Sequence, residues 1–325
     1  MAPFMIALGV LALTAITTAY YYSGRLIEED TFRSKNLLNT GVENPTMWLY
    51  YDQSDVNSRF WSDFGDRSTR VLNTPYLNLC YESIVKNNGR AYTVKVLAGL
   101  SDVALLLGGW NELPKPLQNP IASVGEAELN YIRSTILRRF GGLWVNPSSI
   151  FFKSLPVLKN VTFFGTDKDE SYSDKNGTPV PGVDVMFSPI KEHPVFVELE
   201  ELALGRIVRQ EGGKQFRKDI KWDLLDILER EDVDYISNIE FARKSNGRRI
   251  QLEDLLGSSD IFIPEKAVYA PLDWEELQKR RNFGWFLRLS ERQILESELL
   301  VTKLFNTSVG LPREQVIDLK HNMFN

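Results

Sequence analysis

From residue 47 onward the chain alternates between short apolar runs that suit strands and longer stretches whose apolar residues recur three and four apart, as on a helix. Residues 47–51, Met-Trp-Leu-Tyr-Tyr, are strand formers. Residues 75–88 have helical spacing behind a proline and stop at Gly89, and 92–97 alternate like a strand again. A strand, a helix and a strand in that order imply a parallel crossover. A second helix is predicted over 126–140, halted by Gly141-Gly142, with a strand at 143–145 directly behind it. Strands are also predicted at 162–165 and 183–188, separated by a loop rich in Gly, Pro, Ser and Asp over 166–182. Beyond His193-Pro194 the spacing turns mainly helical, with helices expected over 195–209, 214–230 and 291–306. The fold this predicts is α/β: an open, mostly parallel sheet flanked by helices, with a C-terminal helical extension.

The first residues follow a different pattern. Residues 3–22 are uncharged and mostly apolar, and 20 residues in a helix cover a hydrocarbon layer of roughly 30 Å. A cleaved signal peptide has the same length, but here no basic segment leads the run, and Tyr20, Tyr21 and Tyr22 stand where small residues would mark cleavage. A retained transmembrane helix with interfacial tyrosines is the favoured reading. Arg25, Arg33 and Lys35 follow the span and no basic residue precedes it, which places the body of a single-pass protein on the cytoplasmic side. The sequons beginning at Asn160, Asn176 and Asn306 point to the opposite side. The expected organisation is an anchor over 1–24, a polar tether over 25–46, a sheet domain over 47–210, and a mainly helical extension of that domain over 211–325.

Composition narrows the chemistry. A net charge of −5 and a pI near 5.4 argue against nucleic acid as a partner. One cysteine forms no internal disulfide and no thiolate metal site, and Cys80 lies in an apolar helical pattern that marks it as core. Only two histidines are present, and His193, ahead of Pro194, reads as a helix cap or surface residue. Asp167, Asp169, Glu170 and Asp174 form an acidic loop, read as solvated and, in the alternative, as a replacement metal cluster. Arg243, Lys244, Arg248, Arg249 and the run Lys279-Arg280-Arg281 read as solvated faces or as contacts to anionic headgroups. Phe283-Gly284-Trp285-Phe286 reads as packing for the last helices.

The segment Ile132-Arg-Ser-Thr-Ile-Leu-Arg-Arg-Phe-Gly-Gly-Leu-Trp-Val-Asn-Pro-Ser-Ser-Ile150 carries the functional signal. A helix bearing an arginine runs into paired glycines, an aromatic and a strand, then Asn146-Pro147-Ser148. Trp48-Leu-Tyr-Tyr-Asp52, Leu79-Cys-Tyr-Glu-Ser-Ile84 with Asn87 and Asn88, and the segment from Asp184 to Pro194 accompany it in order. Together these four blocks, over roughly 47–200, resemble the DXD-containing sugar transferases of GT-A fold, including the capsular-polysaccharide-synthesis type. The resemblance implies a nucleotide-sugar site at the carboxyl ends of the strands, with Tyr51, Asp52, Asn130, Arg133, Asn146 and Ser148 as its binding residues. It also implies a Mg²⁺ or Mn²⁺ ion across the diphosphate, held by carboxylates. The positions resembling the two motif aspartates are Asn146 and Ser148, and a third family aspartate is matched by Asn130. Neutral side chains offer hydrogen bonds but no formal charge, so no metal cofactor is expected unless other carboxylates replace the motif. Without the resemblance, Gly141-Gly142 is a helix stop, Trp144 is core, Asn146-Pro147-Ser148 is a turn, Asp52 a turn cap, and Arg133 a partner for Glu126 or Glu128. Three functions follow: an active transferase that works without metal, a transferase-type scaffold retained as a membrane-tethered structural or assembly protein such as a virion component, and a sugar or nucleotide binder without turnover.

Overall fold

Strand β1 (Thr46–Tyr51) lies inside a six-stranded sheet of order β2-β1-β3-β6-β5-β7. In this computed structural model the described residues are 44–52, 74–156 except 121 and 123, 158–165, 181–210, 233–236, 250–258 and 267–310. The expected span over 3–22, the tether up to residue 43, the acidic loop and the helix over 214–230 lie outside them. No described helix is long and apolar enough to cross a membrane. Residues Pro45–Asn325 form one compact unit.

β1 is buried on both faces, and its alternation sorts two cores. Met47, Leu49 and Tyr51 join one cluster, while Trp48 and Tyr50 join the other. The first core is closed by helix α1 (Pro75–Asn88) and by segments from the C-terminal part of the chain. The second is closed by α2 (Leu100–Leu107), α3 (Glu126–Phe140) and α4 (Pro194–Gln210). β2 (Thr93–Ala98) pairs parallel with β1, as the crossover reading requires, and β3 (Gly142–Val145) pairs parallel with its other side.

The turn from α3 into β3 shows why two glycines stand there. Gly141 and Gly142 have φ of 67° and 93°. A Cβ on Gly142 would stand 2.3 Å from the carbonyl oxygen of Thr46, inside the β1 backbone. The indole Nε1 of Trp48 donates to the Gly141 carbonyl at 2.9 Å and pins the turn to β1. Gly-Gly is therefore a helix stop and also a close approach between neighbouring strands.

Two expectations are corrected and a third is refined. The sheet is mixed: β6 (Pro181–Ser188) runs antiparallel to both β3 and β5 (Thr162–Gly165). Strand direction depends on where the connecting chain re-enters, which apolar alternation does not encode. The C-terminal part, expected to be mainly helical, also carries β7 (Asp234–Ile236), which extends the main sheet alongside β5. In the same part β8 (Tyr269–Pro271) pairs antiparallel with β4 (Ser149–Phe151), a strand the pattern did not predict. Its described helices, α5 (Leu252–Leu255), α6 (Trp274–Lys279), α7 (Glu291–Glu296) and α8 (Leu300–Phe305), have four to six residues each. The single helix expected over 291–306 is broken between α7 and α8, where Ser297 is extended and its hydroxyl donates to the Ile294 carbonyl at 2.9 Å. That local bond competes with continuing the helix.

Candidate functional site

The chain leaves β1 and β3 at the same edge of the sheet, because the two strands are parallel. α3 returns antiparallel to β3, so its first turn lies at that carboxyl edge as well. β6 begins there, and the Asn146 amide N–H, one residue past β3, donates to the Asp184 carbonyl at 2.8 Å. Topology thus gathers Asp52, the start of α3, Asn146 and Asp184 at one edge, where open α/β sheets bind ligands.

Arg133 organises this edge. Its side chain is almost fully buried on α3, at 2% exposure. Nε donates to Asn130 Oδ1 at 2.9 Å, three residues back on the same helix face, and Nη1 donates to the Val183 carbonyl at 2.9 Å. Nη2 reaches Glu126 and Asn130, and Nη1 lies 4.0 Å from Asp184 Oδ1. A buried guanidinium demands such partners, since desolvating a lone charge costs several kcal/mol. Of the two acids offered by the sequence, Glu126 makes the pair, while Glu128 accepts instead from the Gly125 N–H at 3.0 Å and caps the helix.

Asn146 and Ser148 separate in role. Asn146 Nδ2 points to Asp184 Oδ1 at 3.4 Å, and its Oδ1 accepts the Ser148 N–H at 3.0 Å, so it does form a turn while remaining at the edge. Ser148 is buried away from it. Its hydroxyl donates to the Leu272 carbonyl at 2.7 Å and lies 3.1 Å from the Tyr76 hydroxyl, tying α1 to the end of β8. Tyr51 also faces the α1 core, where its hydroxyl is buried with no hydrogen-bond partner among the described residues. Burial, with Cys80 and Tyr81 nearby, pushes its phenol far above the ordinary value. The structure therefore brings Asn130, Arg133 and Asn146 together, leaves Asp52 half-buried at the strand end, and puts Tyr51 and Ser148 within the packing beneath.

Asp184 is the residue of this cluster that the site prediction omitted. Its signal was a carboxylate in an otherwise apolar strand, Val183-Asp-Val-Met-Phe187, where a charge needs a reason. Elsewhere, Cys80 is fully buried, and burial pushes its thiol well up. His193 Nδ1 accepts the Val195 N–H at 3.3 Å and caps α4. Arg280 pairs with Glu253 and, at 3.1 Å, with Glu276. Phe286 is buried at 5.6 Å from the Tyr76 ring, and Trp285 stands edge-on to it, half exposed. Among the described residues no group of three His, Cys, Asp or Glu side chains is placed to hold a metal ion. The acidic residues 167–174 and the basic residues 243–249 lie outside the described residues.

No protein-family model and no curated protein matches this sequence. Solved structures similar to this chain include glycosyltransferases. The PaToxG glycosyltransferase shares 11% identity over 59% of this chain and 72% of that one, with a TM-score of 0.30. The apo form of the glycosyltransferase GlyE of Streptococcus pneumoniae TIGR4 shares 8% identity over 87% of this chain, with a TM-score of 0.35. A second GlyE structure shares 7% with the same coverage and score. The chain spans 64% of the length of the GlyE chains.

Proposed function

We propose that this chain is a membrane-anchored glycosyltransferase-like protein that binds a nucleotide sugar at the carboxyl edge of its sheet, with catalysis impaired or independent of metal. The observation supporting it is the convergence of the four resembling blocks. They fold into β1, α1, α3–β3 and β6–α4, and they set Asp52, Asn130, Arg133, Asn146 and Asp184 at or beneath one edge. A ribose or sugar hydroxyl suits Asp52 and the Asn146–Asp184 pair, which offer donors and acceptors together.

A second reading, a catalytically inactive structural or assembly protein on the same framework, is favoured by one specific contact set. The Arg133 guanidinium is held by Glu126, Asn130 and Val183 within the fold, so it is not aimed outward at a leaving diphosphate. Calorimetry of the full chain in mild detergent, with nucleotide diphosphates and nucleotide sugars, separates the two. Saturable heat with at least one nucleotide sugar is expected. No heat with any of them removes the ligand-binding reading and leaves the structural one. For the anchor, the full chain is expected to stay with membranes through an alkaline wash and a chain lacking 1–24 to be released. Equal release of both rules the anchor out.

A further inference from the structure

The resemblance implies a dication at the tip of β3, and we infer that the Asn146–Asp184 corner accepts no divalent ion, because its oxygens are committed within the fold and the buried Arg133 guanidinium already stands beside its carboxylate. The inference concerns the proposed ligand edge and rests on that reading only for where a ligand's phosphates would lie.

A Mg²⁺ or Mn²⁺ site needs several hard oxygens with free lone pairs, at least some of them anionic, converging on one point. The oxygens at this corner are committed elsewhere. Asn146 Oδ1 accepts the Ser148 N–H at 3.0 Å, which fixes the amide so that its NH₂, a donor, is turned to Asp184 at 3.4 Å. An ion seated between the two residues would meet the positive end of that amide dipole. The Ser148 hydroxyl is buried between Tyr76 and Leu272, and Asn130 Oδ1 accepts from Arg133. Among the described residues Asp184 is the carboxylate bonded to Asn146, and the guanidinium stands 4.0 Å from it.

Charge closes the argument. Glu126 and Asp184 flank Arg133, two carboxylates around one guanidinium, and leave a single net negative charge in the cluster. Aspartates at 130 and 146 would add two more, a field that calls for a dication. With neutral residues there, an added dication faces like charge at contact range and a surplus of positive charge.

The test is titration of the full chain in mild detergent with Mn²⁺ alone, followed by the paramagnetic signal of the free ion. The wild type is expected to show no uptake that depends on Asp184. Asn146→Asp, which places a second carboxylate beside Asp184, is expected to bind Mn²⁺ about tenfold or more tighter than the wild type. One equivalent taken up by the wild type and lost in Asp184→Asn overturns the inference. Uptake that survives Asp184→Asn belongs elsewhere on the chain and leaves the corner free of metal, as inferred. An Asn146→Asp protein that folds, by its circular dichroism, yet gains no Mn²⁺ overturns the charge argument. Nucleotide binding is read separately. A wild type that binds nucleotide only with Mn²⁺, and loses that dependence in Asp184→Asn, defeats this inference and spares the proposed nucleotide-sugar binding. A wild type that binds no nucleotide defeats the proposed function, and the Mn²⁺ titration still decides this point.

Discussion

Gly142 is the residue where the sequence signal and the structural need differ most in strength. Two glycines after a helix are ordinary punctuation, but here the second has φ of 93° and no room for a methyl group against Thr46. Gly142→Ala is expected to destabilise the fold by roughly 3 kcal/mol, from left-handed strain plus displacement of β1, as read by urea unfolding. A loss below about 0.5 kcal/mol, the range of an ordinary surface change, contradicts the close approach. Tyr51 makes the opposite case. Its phenol is buried without a partner among the described residues, so Tyr51→Phe is expected to be neutral or to stabilise by up to about 1 kcal/mol. A clear loss of stability in the same measurement shows instead that the hydroxyl is bonded.

At the scale of elements, the polar links join pieces far apart in sequence. Ser148 connects α1 through Tyr76 to the end of β8 through Leu272, over separations of 72 and 124 residues. Ser148→Ala is expected to cost about 1 to 2 kcal/mol, because Tyr76 and the Leu272 carbonyl each lose a buried partner. Ser148→Asp is expected to cost more than Ser148→Ala, since it buries a carboxylate beside a carbonyl. If Ser148→Asp proves the more stable of the two in urea, the hydroxyl is not committed as described. Helices with strong local signals were legible: α1 begins at Pro75, and α3 ends at paired glycines, each with the predicted bounds. α2 and β4 were not, because eight residues between glycines and three residues of Ser-Ile-Phe are too short for a period to show. The break between α7 and α8 escaped for another reason: apolar spacing continues through Ser297, while the hydroxyls of Ser297 and Thr302 both take the Ile294 carbonyl.

For the molecule as a whole, alkali should reveal the buried phenols. Burial pushes Tyr92 up to about 12 from 10.0 and raises Tyr51 further. A phenol raised in the folded state keeps its proton while the unfolded chain loses it, so its contribution is complete below pH 10 and falls as pH rises from there. The urea midpoint is expected to be flat up to about pH 9, where the raised Cys80 thiol begins to count, and to drop more steeply from pH 10 towards pH 12 as the phenols join it, with a shallower drop in Tyr92→Phe. A midpoint that rises over that window reverses the sign of the argument.

Much of the candidate site was legible. Asn130 and Arg133 are three apart on one predicted helix, so their contact follows from helical geometry. Asn146 at the end of a predicted strand follows from the order of elements. The sequence by itself determined which residues alternate into two cores and where the main helices stop, because periodicity and caps are local properties. Tertiary structure alone decided that β6 runs antiparallel, that Asp184 lies beside Asn146, 38 residues away, and that the Arg133 charge is met inside the fold. Those facts depend on which distant segments come within a few ångströms of each other, and a linear pattern carries no distances.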